Sequence, residues 1–250
     1  DSSRLKALYD FSWDGYLSSK PDSAIYFGNK MLDFAIKKGV KKYQVKALNL
    51  IANAYYNLGN FNKSIVFFNK GIQITKKTGD KKGLATGYNN IGFSYRELGD
   101  YFKAINYYTQ ALKISEEIGF REGAAFAFWN ISVVYLDQKN YEKASDYNHQ
   151  SLVIQKEIGN LFGQANCLVS LGVIQKNSNN PQKAIQYYEQ SMEISKKIGD
   201  DQGYARALVD MGLSYLELKD TKRALEILEK ALLINKNIGD KKGIATTLSS

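Results

Sequence analysis

Cys167 and His149 are the only cysteine and the only histidine in 250 residues, and they bound the chemistry open to this chain. One cysteine allows no internal disulfide and no cysteine-pair metal site. One histidine leaves no HExxH or paired-imidazole zinc site and little material for a nucleophile–base couple. Cys167 stands in register with Ala47, Gly87, Ala127 and Ala207, all small, so a buried structural thiol is expected. His149 stands in register with Asn29, Asn69, Thr109, Glu189 and Glu229, all polar, so a solvent-facing imidazole is expected. Gly59-Asn60-Phe61-Asn62-Lys63-Ser64 echoes a phosphate-binding loop but lacks the second glycine before the lysine, and reads as a turn between helices. Acidic residues are scattered, with no pair arranged for acid–base work. The expectation is a non-enzymatic stretch with no cofactor and no metal.

Those registers come from a repeat. Gly39, Gly79, Gly119, Gly159, Gly199 and Gly239 recur every 40 residues. Gly83, Gly123, Gly163, Gly203 and Gly243 form a second column, Ala24, Ala104, Ala144, Ala184 and Ala224 a third, and Tyr55, Tyr95, Tyr135 and Tyr215 a fourth. Such a period decides the architecture before local detail does. Six complete units are expected, at 1–40, 41–80, 81–120, 121–160, 161–200 and 201–240, with 241–250 opening a seventh, in one array over 1–250.

Residues 80–119 show how one unit folds. Asp80 can cap the first helix, and Leu84, Tyr88, Ile91, Gly92 and Tyr95 follow at helical spacing. Gly99 can close that helix in the left-handed conformation, and Asp100 can cap the next, as can Asn60, Asn140, Asn180 and Asp220. Ala104, Ile105, Tyr108, Ala111, Leu112 and Ile114 make the buried face of the second helix. Pro21 and Pro181 fall just after the turn, where a helix tolerates proline best. Each unit is therefore two antiparallel helices of roughly 17 residues, and neither buries its apolar face until the next unit stacks on it.

Hydrophobic content of 44% and charged content of 24% are ordinary for a folded chain. The longest near-apolar run, Ala124 to Leu136, is shorter than the ~18 residues of a membrane span. The net charge of +9 raises nucleic acid as a partner. The lysines gather at helix ends beside the first glycine column, however, where they are expected to complement helix dipoles. Glu116, Glu117, Glu122, Asp200 and Asp201 interrupt the basic stripe. Nucleic-acid binding through that edge is the third reading, behind two protein-binding ones.

Tyr88, Ile91-Gly92, Tyr95, Ala104, Tyr108 and Ala111 resemble the tetratricopeptide signature W-x2-L-G-x2-Y…A-x3-F-x2-A across essentially the whole chain. The proline that closes the usual 34-residue unit is replaced by Glu116, and six extra residues lengthen the helices. The variant resembles the long-unit arrays of kinesin light chains, Leu-Gly-Asn-type polarity adaptors and bacterial regulatory proteins. The resemblance implies an all-α fold, a right-handed alpha-alpha superhelix (TPR solenoid) of antiparallel helix pairs. The first unit matches least, with Gly15, Gly28 and Lys20 at signature positions.

In arrays of this family the first helices line a concave, partner-binding face. Carried onto this chain, that face implies a peptide site at Asn49, Asn53, Tyr56, Asn89, Asn90, Phe93, Arg96, Phe126, Trp129, Asn130 and Val133. Asn166, Val169, Arg206 and Val209 continue it. Chaperone adaptors of the family clamp a terminal carboxylate. Asn53, Asn90 and Asn130 match their amide positions, but Asn49 and Phe126 replace their basic residues, which argues against a clamp here. The implied partner is a protein or peptide segment with apolar anchors, gripped along its backbone by asparagines.

The opening, with Asp1, Arg4, Leu5 and Leu8 and then Pro21-Asp22-Ser23-Ala24, is similar to sensory arrays of Bacteroidetes-type signalling proteins, in which repeats precede a histidine kinase, cyclase or regulator. The pattern also stops inside a helix expected to continue past Ser250. A sensory or scaffolding region of a larger signalling protein is therefore the first functional expectation, and a stand-alone adaptor or chaperone-like assembly factor the second.

Overall fold

A computed structural model of the chain describes residues 2–17 and 19–250; Asp1 lies outside them. Every regular element among the described residues is an α-helix. They run α1 (Ser2–Tyr16), α2 (Pro21–Lys37), α3 (Lys41–Asn57), α4 (Phe61–Thr78), α5 (Lys81–Glu97), α6 (Tyr101–Glu117) and α7 (Arg121–Asp137). They continue with α8 (Tyr141–Glu157), α9 (Leu161–Asn177), α10 (Pro181–Ile198), α11 (Asp201–Glu217), α12 (Thr221–Asn237) and α13 (Lys241–Leu248). The fold is an all-α superhelical repeat.

The chain divides into two compact units, Asp1–Asn130 and Ile131–Ser250. Within the first, Ala52 of α3, Ile65, Phe68 and Ile72 of α4 and Ile91 of α5 form one buried cluster. Within the second, residues of α9, α10, α11 and α12 form another around Tyr188 and Leu208. Both cores are made between successive helix pairs, as an array held by nearest-neighbour stacking requires.

Aspartate and asparagine set most helix starts. Asp80 Oδ1 accepts from the Gly83 amide at 2.8 Å, Asp100 from Lys103 at 3.1 Å, Asn140 from Lys143 at 3.2 Å and Asp240 from Gly243 at 2.9 Å. Each satisfies one of the free amides of a first turn. Asn180 behaves differently from the expectation: its Nδ2 donates back to the Ser178 carbonyl at 3.2 Å, and α10 starts at Pro181 without a side-chain cap.

The second glycine column sits at the third helical position, against a buried polar side chain that ends the preceding helix. A methyl group on Gly123 would lie 2.7 Å from Ser115 Oγ, and one on Gly243 would lie 2.6 Å from Asn235 Oδ1. Glycine is there for room.

The tight turns inside pairs are left-handed at Gly59 (φ 72°) and Gly99 (φ 75°). The same turn recurs at Lys139 (φ 59°), Asn179 (φ 60°) and Lys219 (φ 61°), where a Cβ is strained.

The lysines need a correction. Lys76, Lys77, Lys196 and Lys197 lie in last turns, where a cation complements the dipole. Lys41, Lys42, Lys81, Lys82, Lys241 and Lys242 instead open α3, α5 and α13, where the dipole opposes them. Local partners offset this in places: Lys81 pairs with Glu117 at 3.6 Å, and Lys82 lies 4.3 Å from the Phe120 ring centre. A further set of lysines serves the tyrosine column. Lys63, Lys103 and Lys143 lie 5.1, 5.1 and 5.2 Å above Tyr55, Tyr95 and Tyr135. Those rings in turn stack on Phe67, Tyr107 and Tyr147. The positive charge is thus partly built into ring stacks along the repeat.

Candidate functional site

Ten of the eleven implied site residues fall in the Asp1–Asn130 unit; Val133, half-buried, belongs to the other. Phe93 and Phe126 have ring centres 6.0 Å apart, and Phe126 and Trp129 also 6.0 Å apart. Phe93 is braced from behind by an edge contact to Tyr108. Phe126 stays 44% exposed, so this short aromatic run from α5 to α7 reaches solvent.

Beside it lies a polar cluster. Tyr56 of α3 hydrogen-bonds Glu97 of α5, and Arg96 lies 3.3 Å from the same carboxylate. Burial pushes the Tyr56 hydroxyl up to about 12, with the Glu97 charge and hydrogen bond adding to it and Arg96 opposing. Tyr56 is therefore a hydrogen-bond donor at all ordinary pH.

The amides divide. Asn49, Asn53 and Asn90 are half-buried, and Asn53 Nδ2 donates to the Asn49 carbonyl at 2.8 Å. Asn89 is 3% exposed and Asn130 1% exposed. Neither presents its amide at the surface, and Asn89 Oδ1 and both Asn130 side-chain atoms have no hydrogen-bond partner among the described residues. The accessible part of the implied site is therefore aromatic first and amide second.

A separate cavity of about 380 Å³ lies within the Ile131–Ser250 unit, lined by α9, α11, α13 and the end of α12. Phe162 and Asn166 come from α9, Arg206, Val209 and Asp210 from α11, and Lys242 from α13. Arg206 donates to Asn166 Oδ1, and Gln202 Nε2 donates to Asp240 Oδ2 at 3.1 Å. Burial holds the Asp210 carboxyl above the usual carboxylate range, while the Lys176 and Arg206 charges pull it back. Sequence reasoning placed Asn166, Arg206 and Val209 on the binding face but overlooked Asp210. Its column reads Asp10, Leu50, Asn90, Asn130, Ser170 and Asp210, where a carboxylate recurs only in the first and sixth units, a weak signal.

Cys167 is buried, with its sulfur 3.3 Å from Ser151 Oγ. His149 is exposed, with Nδ1 2.8 Å from the Ser145 carbonyl oxygen of its own helix. Among the described residues no group of three or more histidine, cysteine or acidic side chains is placed to hold a metal ion. No described helix is long and apolar enough to cross a membrane.

The sequence profile of the tetratricopeptide repeat matches residues 43–117, 123–197 and 168–237. The chain belongs to the tetratricopeptide repeat family. No curated protein matches it. Solved structures similar to this tetratricopeptide array include BtubC (BKLC) from P. vanneervenii, at 18% identity and TM-score 0.76, over 89% of this chain and 93% of that one. A Rap protein complexed with Competence and Sporulation Factor is similar at 12% identity and TM-score 0.74, over 99% and 80%. A STAND signal-transduction ATPase with a tetratricopeptide repeat sensor, from Pyrococcus horikoshii, is similar at 21% identity and TM-score 0.69, over 92% of this chain and 36% of that one. At these identities the likeness is one of fold.

Proposed function

We propose that this tetratricopeptide array binds a protein or peptide segment on its first-helix face, as the sensory or scaffolding region of a larger signalling protein. The aromatic run Phe93–Phe126–Trp129, with Phe126 exposed and the other two half-buried, carries the reading. Rings left partly open to water on a helix surface have a use as anchors for an apolar side chain. Tyr56, Arg96 and Glu97 give the same face donors and acceptors for a bound backbone. Two structural relatives support it by what they are: a Rap protein complexed with Competence and Sporulation Factor, and an ATPase whose repeat is its sensor.

Selection from a random peptide library on the immobilised chain tests this, followed by hydrogen exchange on the chain with and without the enriched peptide. The reading expects enriched apolar or aromatic anchors and slowed exchange in α5 and the start of α7. Protection confined to the basic helix starts, with binding that collapses as salt rises, would favour the nucleic-acid reading instead.

A further inference from the structure

The cavity of the Ile131–Ser250 unit contains a carboxylate with no direct partner among the described residues. Asp210 lines the cavity from α11; no hydrogen bond or short ion pair with a described residue holds its carboxyl, although the Lys176 and Arg206 charges act on it. Its natural helical partner is Arg206, four residues earlier, because side chains at that spacing share a face. Arg206 is engaged elsewhere, donating to Asn166 Oδ1 on α9. A mostly buried charge without a partner is costly, and proteins keep one where a ligand supplies the partner.

The rest of the lining says which ligand. Asp200 and Asp240 also border the cavity, but each spends an oxygen capping a helix, on the Gly203 and Gly243 amides at 2.9 Å. In the lining three carboxylates face Arg206 and Lys242, and the Lys176 charge also acts on Asp210. These charges do not offset the burial of the Asp210 carboxyl, so what the cavity lacks is a cation that donates to it directly. Phe162, 57% exposed, offers a ring at the rim, and Val209 offers an apolar wall. A cation with a flat face that stacks on an aromatic ring and also donates to a carboxylate is a guanidinium, which an ammonium does not match in shape.

We propose that this cavity is a recognition pocket for an arginine side chain, with Asp210 as its counter-ion and Phe162 as its stacking face. That the arginine is carried on a bound segment rests on the peptide-binding reading above; the pocket chemistry does not.

The test is a titration of the 250-residue chain with N-acetyl-arginine methylamide and with its citrulline counterpart, followed by NMR. Citrulline keeps the shape and loses the charge. The arginine probe should bind at least about ten-fold more tightly, since a charge-assisted bond to a desolvated carboxylate is lost in the other. Its shifts should centre on Phe162, Asn166, Val209 and Thr246. Asp210→Asn should bring the two probes to the same affinity, Asp210→Glu should keep the preference, and Phe162→Ala should weaken the arginine probe alone. Circular dichroism melts show that each variant is folded. Equal affinities in the parent chain, a preference that survives Asp210→Asn, no saturable shift, or tighter binding of N-acetyl-glutamate methylamide would each overturn the proposal. None of these results bears on peptides that depend on Phe126. Conversely, a peptide selection that fails while the arginine preference holds would remove the peptide reading and leave the pocket.

Discussion

Gly92 of α5 faces the ring of Tyr108 on α6 so closely that a methyl group on it would lie 2.5 Å from Cε1. Tyr108 is fully buried, so the ring cannot swing into solvent. Gly92→Ala should therefore destabilise the chain by about 1–3 kcal/mol through overpacking, more than the ~1 kcal/mol that alanine gains over glycine in a helix interior. Urea unfolding should show a lower midpoint at an unchanged slope. An unchanged midpoint would mean that the ring has room to move.

Lys139 and Lys219 occupy the left-handed turn that Gly59 and Gly99 occupy in other units. An L side chain costs about 1–2 kcal/mol there, part of which glycine gives back through its freer unfolded chain. Lys139→Gly and Lys219→Gly should each raise stability by about 0.5–1 kcal/mol, read as a higher urea midpoint. A loss of stability in both would place the strain elsewhere.

Cys167 is buried, and desolvation pushes its thiol up to about 11, with the Ser151 hydrogen bond opposing. At neutral pH it is a protonated thiol behind packed helices, so iodoacetamide should label it only as fast as the array opens. Stoichiometric labelling of the native protein at the rate of the urea-unfolded one would contradict this.

Two aspartates should bend the pH profile of stability in opposite senses. The Asp100 carboxyl is held below the usual carboxylate range by its side-chain and backbone hydrogen bonds from Lys103. Its contribution is present above the unfolded value and is lost as pH falls through the lowered folded value. Asp210 is raised by burial, so its contribution is full below the unfolded value and is lost as pH rises through the raised one. Asp100→Asn should flatten the acid limb of a melting-temperature profile. Asp210→Asn should melt no lower than the parent at neutral pH, and a clear drop would show that the carboxylate has a partner within the fold.

The architecture was legible because it depends on period and on single residues: glycine every 40 positions, aspartate at helix starts, alanine where Ala104 is buried. The surface was less so. Asn89 and Asn130 looked like groove amides from the family pattern, yet they are buried, because a helix's apolar face and its groove face meet along a boundary that one side chain's length decides. The lysines at 81–82 and 241–242 stand two or three residues past the glycine and open the next helix, which reverses their sign against the dipole. The Asp210 cavity draws its lining from residues 162 to 246, and no local spacing announces such a convergence.

Titrating a library-selected peptide into the parent chain and into Phe126→Ala decides whether the aromatic run is where the array binds. Phe126 is 44% exposed, so its truncation should leave the melting temperature nearly unchanged. Phe126→Ala should bind at least about ten-fold more weakly, the loss expected for an aromatic anchor. Equal affinity for parent and variant, with both folded, would contradict it.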